Sequence, residues 1–175
     1  MKSIRTYFFC LTMLSLFVIC FGSHSFGQER LNLSAGIGFP EYLNLGARYQ
    51  LKQSQIAIGF GFTTSSDNGS YSLTGEYFLH LHGTSDFSKR RPWYARTGVT
   101  YMHDESEFFI RNVVWLSSRL GREFNVSKKL GMQIDLGAMY MLYFDSKTKK
   151  PGGGWDLVNI LPIWPSFGLG VFYRF

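Results

Sequence analysis

The sequence predicts an all-β fold: eight antiparallel strands in up-and-down order, closed into a transmembrane β-barrel. Three observations predict it. Large apolar and small or polar side chains alternate in eight runs separated by turn residues, the period of a strand with two unlike faces. Most runs hold about 9–13 residues, longer than the usual 5–6 and matched to the 9–11 that a tilted strand needs to cross a bilayer. Charged residues make up 17% and aromatic residues 18% of the chain, with 19 glycines, where an average soluble domain carries roughly 25% charge. Downstream of residue 30 no apolar stretch reaches the 18 residues of a membrane helix, so strands must do the crossing.

Ahead of the first strand, residues 1–27 read as a secretory signal. Lys2 and Arg5 form its basic start, Tyr7 to Phe21 an uncharged apolar stretch of 15 residues, and Ser25 and Gly27 the small residues before a cut at Gln28. As a helix that stretch spans only about 22 Å, short of a hydrocarbon core of about 30 Å, so it is an address rather than an anchor. Ile19 precedes Cys20 where a lipidation signal carries a small residue. Cleavage leaves 28–175 as one barrel domain of about 148 residues, too short for a multi-domain enzyme. Cys10 and Cys20 depart with the signal, and disulfide, thiolate-metal and cysteine-nucleophile chemistry with them. The formal charge of +6 falls to +4 and is scattered, which gives no nucleic-acid footprint.

In chain order the expected strands are 31–39, 42–51, 55–64, 70–82, 93–103, 108–126, 130–144 and 166–175. The first sets Leu31, Leu33, Ala35, Ile37 and Phe39 against Asn32, Ser34, Gly36 and Gly38, and ends at a Pro40-Glu41 turn. Next, Leu43, Leu45, Ala47, Tyr49 and Leu51 oppose Asn44, Gly46, Arg48 and Gln50. Ile56, Ile58, Phe60 and Phe62 of the third oppose Ala57, Gly59, Gly61 and Thr63. After a Ser-Ser-Asp-Asn-Gly-Ser turn, the fourth sets Tyr71, Leu73, Tyr77, Leu79 and Leu81 against Ser72, Thr74, Glu76, Phe78, His80 and His82. The fifth and sixth follow link 83–92, flank the acidic turn at 103–107, and carry Arg96, Arg111, Trp115, Arg119 and Glu123 on their polar face. In the seventh, Leu130, Met132, Ile134, Leu136, Ala138, Tyr140, Leu142 and Phe144 oppose Gly131, Gln133, Asp135 and Gly137. The eighth follows the long link 145–165 and sets Phe167, Leu169, Val171, Tyr173 and Phe175 against Gly168, Gly170, Phe172 and Arg174.

Alternation alone does not say which face is outside, because a soluble barrel would bury the apolar one. Size decides. Eight strands enclose an interior just wide enough to be filled by side chains, so glycine and serine suit the lumen while leucine and phenylalanine suit a lipid exterior. Aromatic residues fall at two depths, as in interfacial girdles: Phe39, Tyr42, Phe62, Tyr71, Tyr101, Phe108 and Phe144 at one end, Tyr49, Trp93, Phe124, Tyr173 and Phe175 at the other. Seven links leave both termini at one end, periplasmic in bacterial barrels, and put 145–165 outside the cell.

The chain ends Phe-Gly-Leu-Gly-Val-Phe-Tyr-Arg-Phe, with Tyr173 and the terminal Phe175 on the outward parity. This ending resembles the last strand of bacterial outer-membrane barrels. With the strand count, 31–175 is similar to the small eight-stranded group that includes OmpX and the OmpA membrane domain. A signal ending before Gln28 resembles those of Bacteroidetes. The resemblance implies an outer-membrane location in a Gram-negative envelope. It also implies recognition of Tyr173 and Phe175 by the barrel-assembly machinery, and contact with lipid and lipopolysaccharide. It brings no catalytic motif, and the chain stops short of a peptidoglycan-binding domain.

The polar face gathers Arg48, Glu76, Arg96, Arg111, Arg119, Glu123, Asp135 and Arg174, and charges enclosed in a narrow lumen need partners. An interlocked ion-pair network filling the lumen is therefore expected, with Trp115 helping to block a channel. Lys147, Lys149, Lys150 and Trp155 of the long link are candidate surface contacts for lipopolysaccharide phosphates or other anionic partners, and Leu157 to Trp164 either extends a strand or caps the mouth. His103, Asp104, Glu105 and Ser106 sit together as in lipid A-editing barrels, but a three-residue offset puts His103 and Ser106 on opposite faces of a strand. No carboxylate completes a metal site with His80 and His82, and the Gly-x-Gly pairs lack the helix a nucleotide site requires. The expected function is structural or surface-interacting, displaying outer loops, with no cofactor, no catalysis and a monomeric state. The alternatives are a lipid A-modifying enzyme and a soluble lipocalin-like carrier, which would hold its apolar face around a sizeable cavity.

Overall fold

The computed structural model describes residues 30–65, 68–150 and 161–175. The expected signal 1–27, Trp155 and 157–160 lie outside the described residues. Eight strands follow one another: β1 (Leu31–Phe39), β2 (Tyr42–Leu51), β3 (Ser54–Ser65), β4 (Asn68–His82), β5 (Trp93–Glu105), β6 (Phe109–Asn125), β7 (Leu130–Thr148) and β8 (Ile163–Arg174). Each pairs antiparallel with the next. β8 returns to β1, with Asn32 opposite Arg174 and Phe39 opposite Phe167, so the sheet is a closed barrel. Closure gives every strand a partner on both sides around the ring, as backbone groups in a lipid setting require.

Burial is inverted relative to a soluble protein. Among the described residues, 37 large hydrophobic side chains are exposed, while the buried set holds 8 hydrophobic residues against 19 polar or charged ones. Ile58, Leu120 and Leu136 are 69%, 65% and 68% exposed, and their chain neighbours Ala57, Arg119 and Asp135 are buried. Leaving a large apolar side chain in water forgoes about 1.5–3 kcal/mol. Over so many positions that loss exceeds the 5–15 kcal/mol net stability of a domain several times over. The carrier alternative required the apolar face to line the lumen, and that face is outside.

Small residues line the lumen where backbones or bulky side chains crowd it. A Cβ on Gly168 would sit 2.6 Å from Asp135 Oδ1, and one on Gly36 would sit 2.6 Å from the Leu169 carbonyl oxygen. These are the Gly-x-Gly positions, and the reason for glycine there is space.

Several elements differ from expectation at the end opposite the termini. β7 runs on to Thr148 and β8 starts at Ile163, so the strands absorb part of the expected 145–165 link. Pro165 lies within β8, opposite Ala138. β1 ends opposite Phe167, so this outer stretch of β8 has a ladder neighbour on one side only, where proline is tolerated. A register shift at Val114/Trp115, where Trp115 pairs with Met141 and Val114 with Tyr143, reverses the parity beyond it. Phe144, expected on the outside, therefore packs with Phe39, Tyr42, Met141 and Trp164 on a lumenal cluster of Met102, Val113, Trp115 and Met139. At the termini end, a second shift, between His80 and His82, turns His82 out to solvent while His80 stays buried.

Candidate functional site

The lumen carries two charge clusters, set by inward positions on β2 to β8 and by two links. Nearer the Pro40-Glu41 turn, Asp135 of β7 accepts from Tyr94 Oη at 2.8 Å, Arg96 Nη1 at 2.9 Å and Arg119 Nη1 at 3.2 Å. Arg96 also donates to Glu76 Oε1 at 2.6 Å through Nε and to Glu41 Oε1 at 3.1 Å. Arg119 reaches the same Glu41 oxygen at 2.5 Å. Three carboxylates thus share two guanidinium groups, and hydrogen bonds between oppositely charged groups are stronger than neutral ones.

Toward the termini, Glu123 Oε2 accepts from Arg90 Nε and Nη2 at 3.0 and 2.7 Å and from Arg174 Nη2 at 3.5 Å. Arg174 also donates to Asn125 Oδ1. Arg90 continues to Gln50 Oε1 at 2.7 Å, which accepts from Gln55 at 2.7 Å. His80 is fixed by the Arg91 carbonyl at 2.7 Å. Arg48 donates to Gln133 Oε1 at 2.6 Å, with its guanidinium 4.6 Å over the Phe78 ring. Phe172 provides the corresponding face for Arg174 at 4.6 Å. Cation–π faces replace part of the hydration these arginines give up.

Space between these groups is small. The polar cavity bounded by Glu41, Arg48, Glu76, Arg96, Arg119 and Gln133 has a volume of about 30 Å³, room for about one or two waters. Above it the apolar cluster around Trp115 occupies the lumen toward the long-strand end, with Trp115 1% exposed.

The structure brings together seven of the eight residues expected in the lumen. Arg111 stands apart. Because β6 begins at Phe109, Arg111 lies at the rim, 3.8 Å from Asp104 and 3.5 Å over the Phe109 ring. Glu41 and Arg90 belong to the network yet lie in the links between strands, and both are buried. A sequence signal existed for Glu41: the polar face alone carries five arginines (48, 96, 111, 119, 174) against three acids (76, 123, 135), an imbalance that calls for another enclosed carboxylate.

The lysines of the outer link pair with the neighbouring hairpin, Lys149 with Glu105 at 2.5 Å and Lys150 with Glu107 at 2.7 Å. Lys147 is exposed opposite Ile110. His103 Nδ1 is 2.7 Å from Asn112 Oδ1, with its ring stacked on Tyr71, whereas Ser106 Oγ donates to the Phe109 carbonyl at 3.3 Å. Tyr173 and Phe175 stand exposed at the β1–β8 seam, edge to face at 5.1 Å. No group of three His, Cys, Asp or Glu side chains among the described residues is placed to hold a metal ion.

No family model matches the sequence, and no curated protein matches it. Among solved structures, the chain is similar to the crystal structure of Neisserial surface protein A, with a TM-score of 0.47 and 11% identity over 83% of this chain and 94% of that one.

Proposed function

We propose that this chain is a small integral outer-membrane barrel with a side-chain-plugged lumen, in a structural or surface-interaction role, without catalysis or cofactor. The observation that carries the reading is the inverted burial: an apolar exterior around a cross-linked polar interior. Signal-directed export delivers it to the barrel-assembly machinery, which engages the terminal strand through Tyr173 and Phe175. Lipid surrounds it, and lipopolysaccharide meets its outer rim, where Lys147 lies beside the paired lysines Lys149 and Lys150. The protruding β3–β4, β5–β6 and β7–β8 ends are the parts available to an external partner. With the lumen occupied from Glu123 to Trp115, the barrel passes no ions and acts as a monomeric display scaffold.

The test has two arms. On a gel of the detergent-extracted outer-membrane fraction, the folded barrel shifts in migration on boiling, and in planar bilayers the purified protein gives no steady conductance. Recovery in the soluble fraction removes the membrane reading, and stable channel openings remove the plug. An altered lipid A mass spectrum on expression would replace the scaffold role with an enzymatic one.

A further inference from the structure

The outward face of β4–β7 is not a uniform belt. A groove of about 530 Å³ crosses it, within the range of roughly 300–1,000 Å³ typical of ligand clefts. Its floor is made by the short side chains of Ala95, Thr97 and Ser118, and its walls include Leu79, Leu120 and Leu136. Two hydroxyls on a lipid-facing surface are unusual, and both are turned inward on themselves. Thr97 Oγ1 donates to the Ser117 carbonyl at 3.1 Å and lies 3.4 Å from Ser118 Oγ. With those groups satisfied, the floor offers mainly carbon.

One strand step closer to the termini, in line with the groove, stands Arg122. It faces outward and is exposed, paired across the ladder with Trp93. Its guanidinium lies over the faces of Trp93 and Phe124 at 5.3 and 5.1 Å. Inside the barrel, Arg96, Arg119 and Arg174 pair with carboxylates. Arg122 instead sits on an aromatic platform at the girdle nearest the termini, where headgroups lie. At 3.3–3.4 Å per residue its Cα is about 7 Å from that of Leu120 and about 14 Å from that of Ser118. This is the separation between a headgroup and the upper part of its acyl chain.

We infer that Arg122 and this groove form a specific site for one anionic phospholipid of the leaflet at the termini end, its phosphate on Arg122 and an acyl chain over Thr97 and Ser118. The inference rests on the reading that the barrel spans a bilayer. Charge selects the occupant: a second copy docked here in the same membrane orientation would bring two Arg122 side chains toward one interface, whereas a phosphate complements the one present. Arginine matches phosphate oxygens with two donors at once.

The experiment uses the mature chain refolded into vesicles of phosphatidylcholine and phosphatidylglycerol, released into mild detergent and weighed by native mass spectrometry. The wild type retains one phosphatidylglycerol. Arg122→Gln lowers retention about tenfold, the effect of losing a charge-assisted bond. Ser118→Phe, which fills the floor, lowers it similarly, and Arg122→Lys keeps most of it. Equal retention by wild type and both variants, retention of phosphatidylcholine as strong as phosphatidylglycerol, or a lipid-free dimer overturns the site. Heat-modifiable migration is read on every sample. A barrel that inserts but shows no selectivity refutes the site alone, whereas failure to insert refutes the membrane reading beneath it.

Discussion

Asp135→Asn removes one negative charge from the centre of the lumen and leaves its shape unchanged. The native carboxylate is fully enclosed and takes three hydrogen bonds, from Tyr94, Arg96 and Arg119. Bonds to a charged group contribute about 1.5–3 kcal/mol each, so simple addition gives roughly 5–9 kcal/mol. That sum is too large. Asparagine keeps one acceptor, Arg96 keeps Glu41 and Glu76, and Arg119 keeps Glu41, so both guanidinium groups remain partly compensated. The expected destabilisation is about 3–5 kcal/mol, the cost of breaking a buried pair on one side. Urea titration of the barrel in lipid vesicles, followed by tryptophan fluorescence, reads it as a lowered midpoint with an unchanged slope. Adding Arg119→Gln to Asp135→Asn should recover at least about 1 kcal/mol relative to the sum of the singles. A loss under about 1 kcal/mol for Asp135→Asn, or strict additivity of the pair, would refute the reasoning that enclosed charges hold one another.

Three further outcomes follow from the same geometry. Ile58→Arg, at a position 69% exposed, costs about 2–4 kcal/mol in vesicles, where an exposed position of a soluble protein would tolerate it; the same titration checks it. Trp115→Ala removes the largest side chain of the outer lumenal cluster, costs about 3–5 kcal/mol, and raises single-channel openings in planar bilayers above those of the wild type. On the protruding hairpin beyond the apolar belt, the hydrogen bond and charge of Lys149 hold the Glu105 carboxyl below its usual range. The folded-state value is the depressed one, so the Glu105–Lys149 contact is present above the ordinary carboxylate range and is lost as pH falls through that lowered value. Lys149→Met raises the Glu105 midpoint toward normal in an NMR titration, and leaves the unfolding midpoint at neutral pH unmoved because the pair is exposed.

Strand number, order, closure and facing were legible from residues such as Leu43 to Leu51 and Phe167 to Phe175, because a two-residue period with unlike faces admits one register on a closed sheet. The lumenal partners on strands were legible for the same reason: Arg96, Arg119 and Asp135 share the inward parity. What escaped was everything that departs from regular alternation. The shift at Val114/Trp115 moved Phe144 to the inside, and the one at His80/His82 moved His82 to the outside, and neither carries a glycine to mark it. Glu41 and Arg90 escaped because a link residue has no parity, and only the unbalanced charge on the strands pointed to a missing partner. The lysines of the outer link read as contacts for external anions, yet the ladder brings Lys149 and Lys150 beside Glu105 and Glu107 across more than forty residues of chain.

Facing is most directly measured by single cysteines placed in turn at positions 56 to 62 of β3, labelled with a nitroxide, and read for collisions with oxygen dissolved in the bilayer. High oxygen contact at 56, 58 and 60 with protection at 57, 59 and 61 is the predicted result. The reverse phase, or no alternation along the strand, would contradict a barrel that wears its apolar residues against lipid.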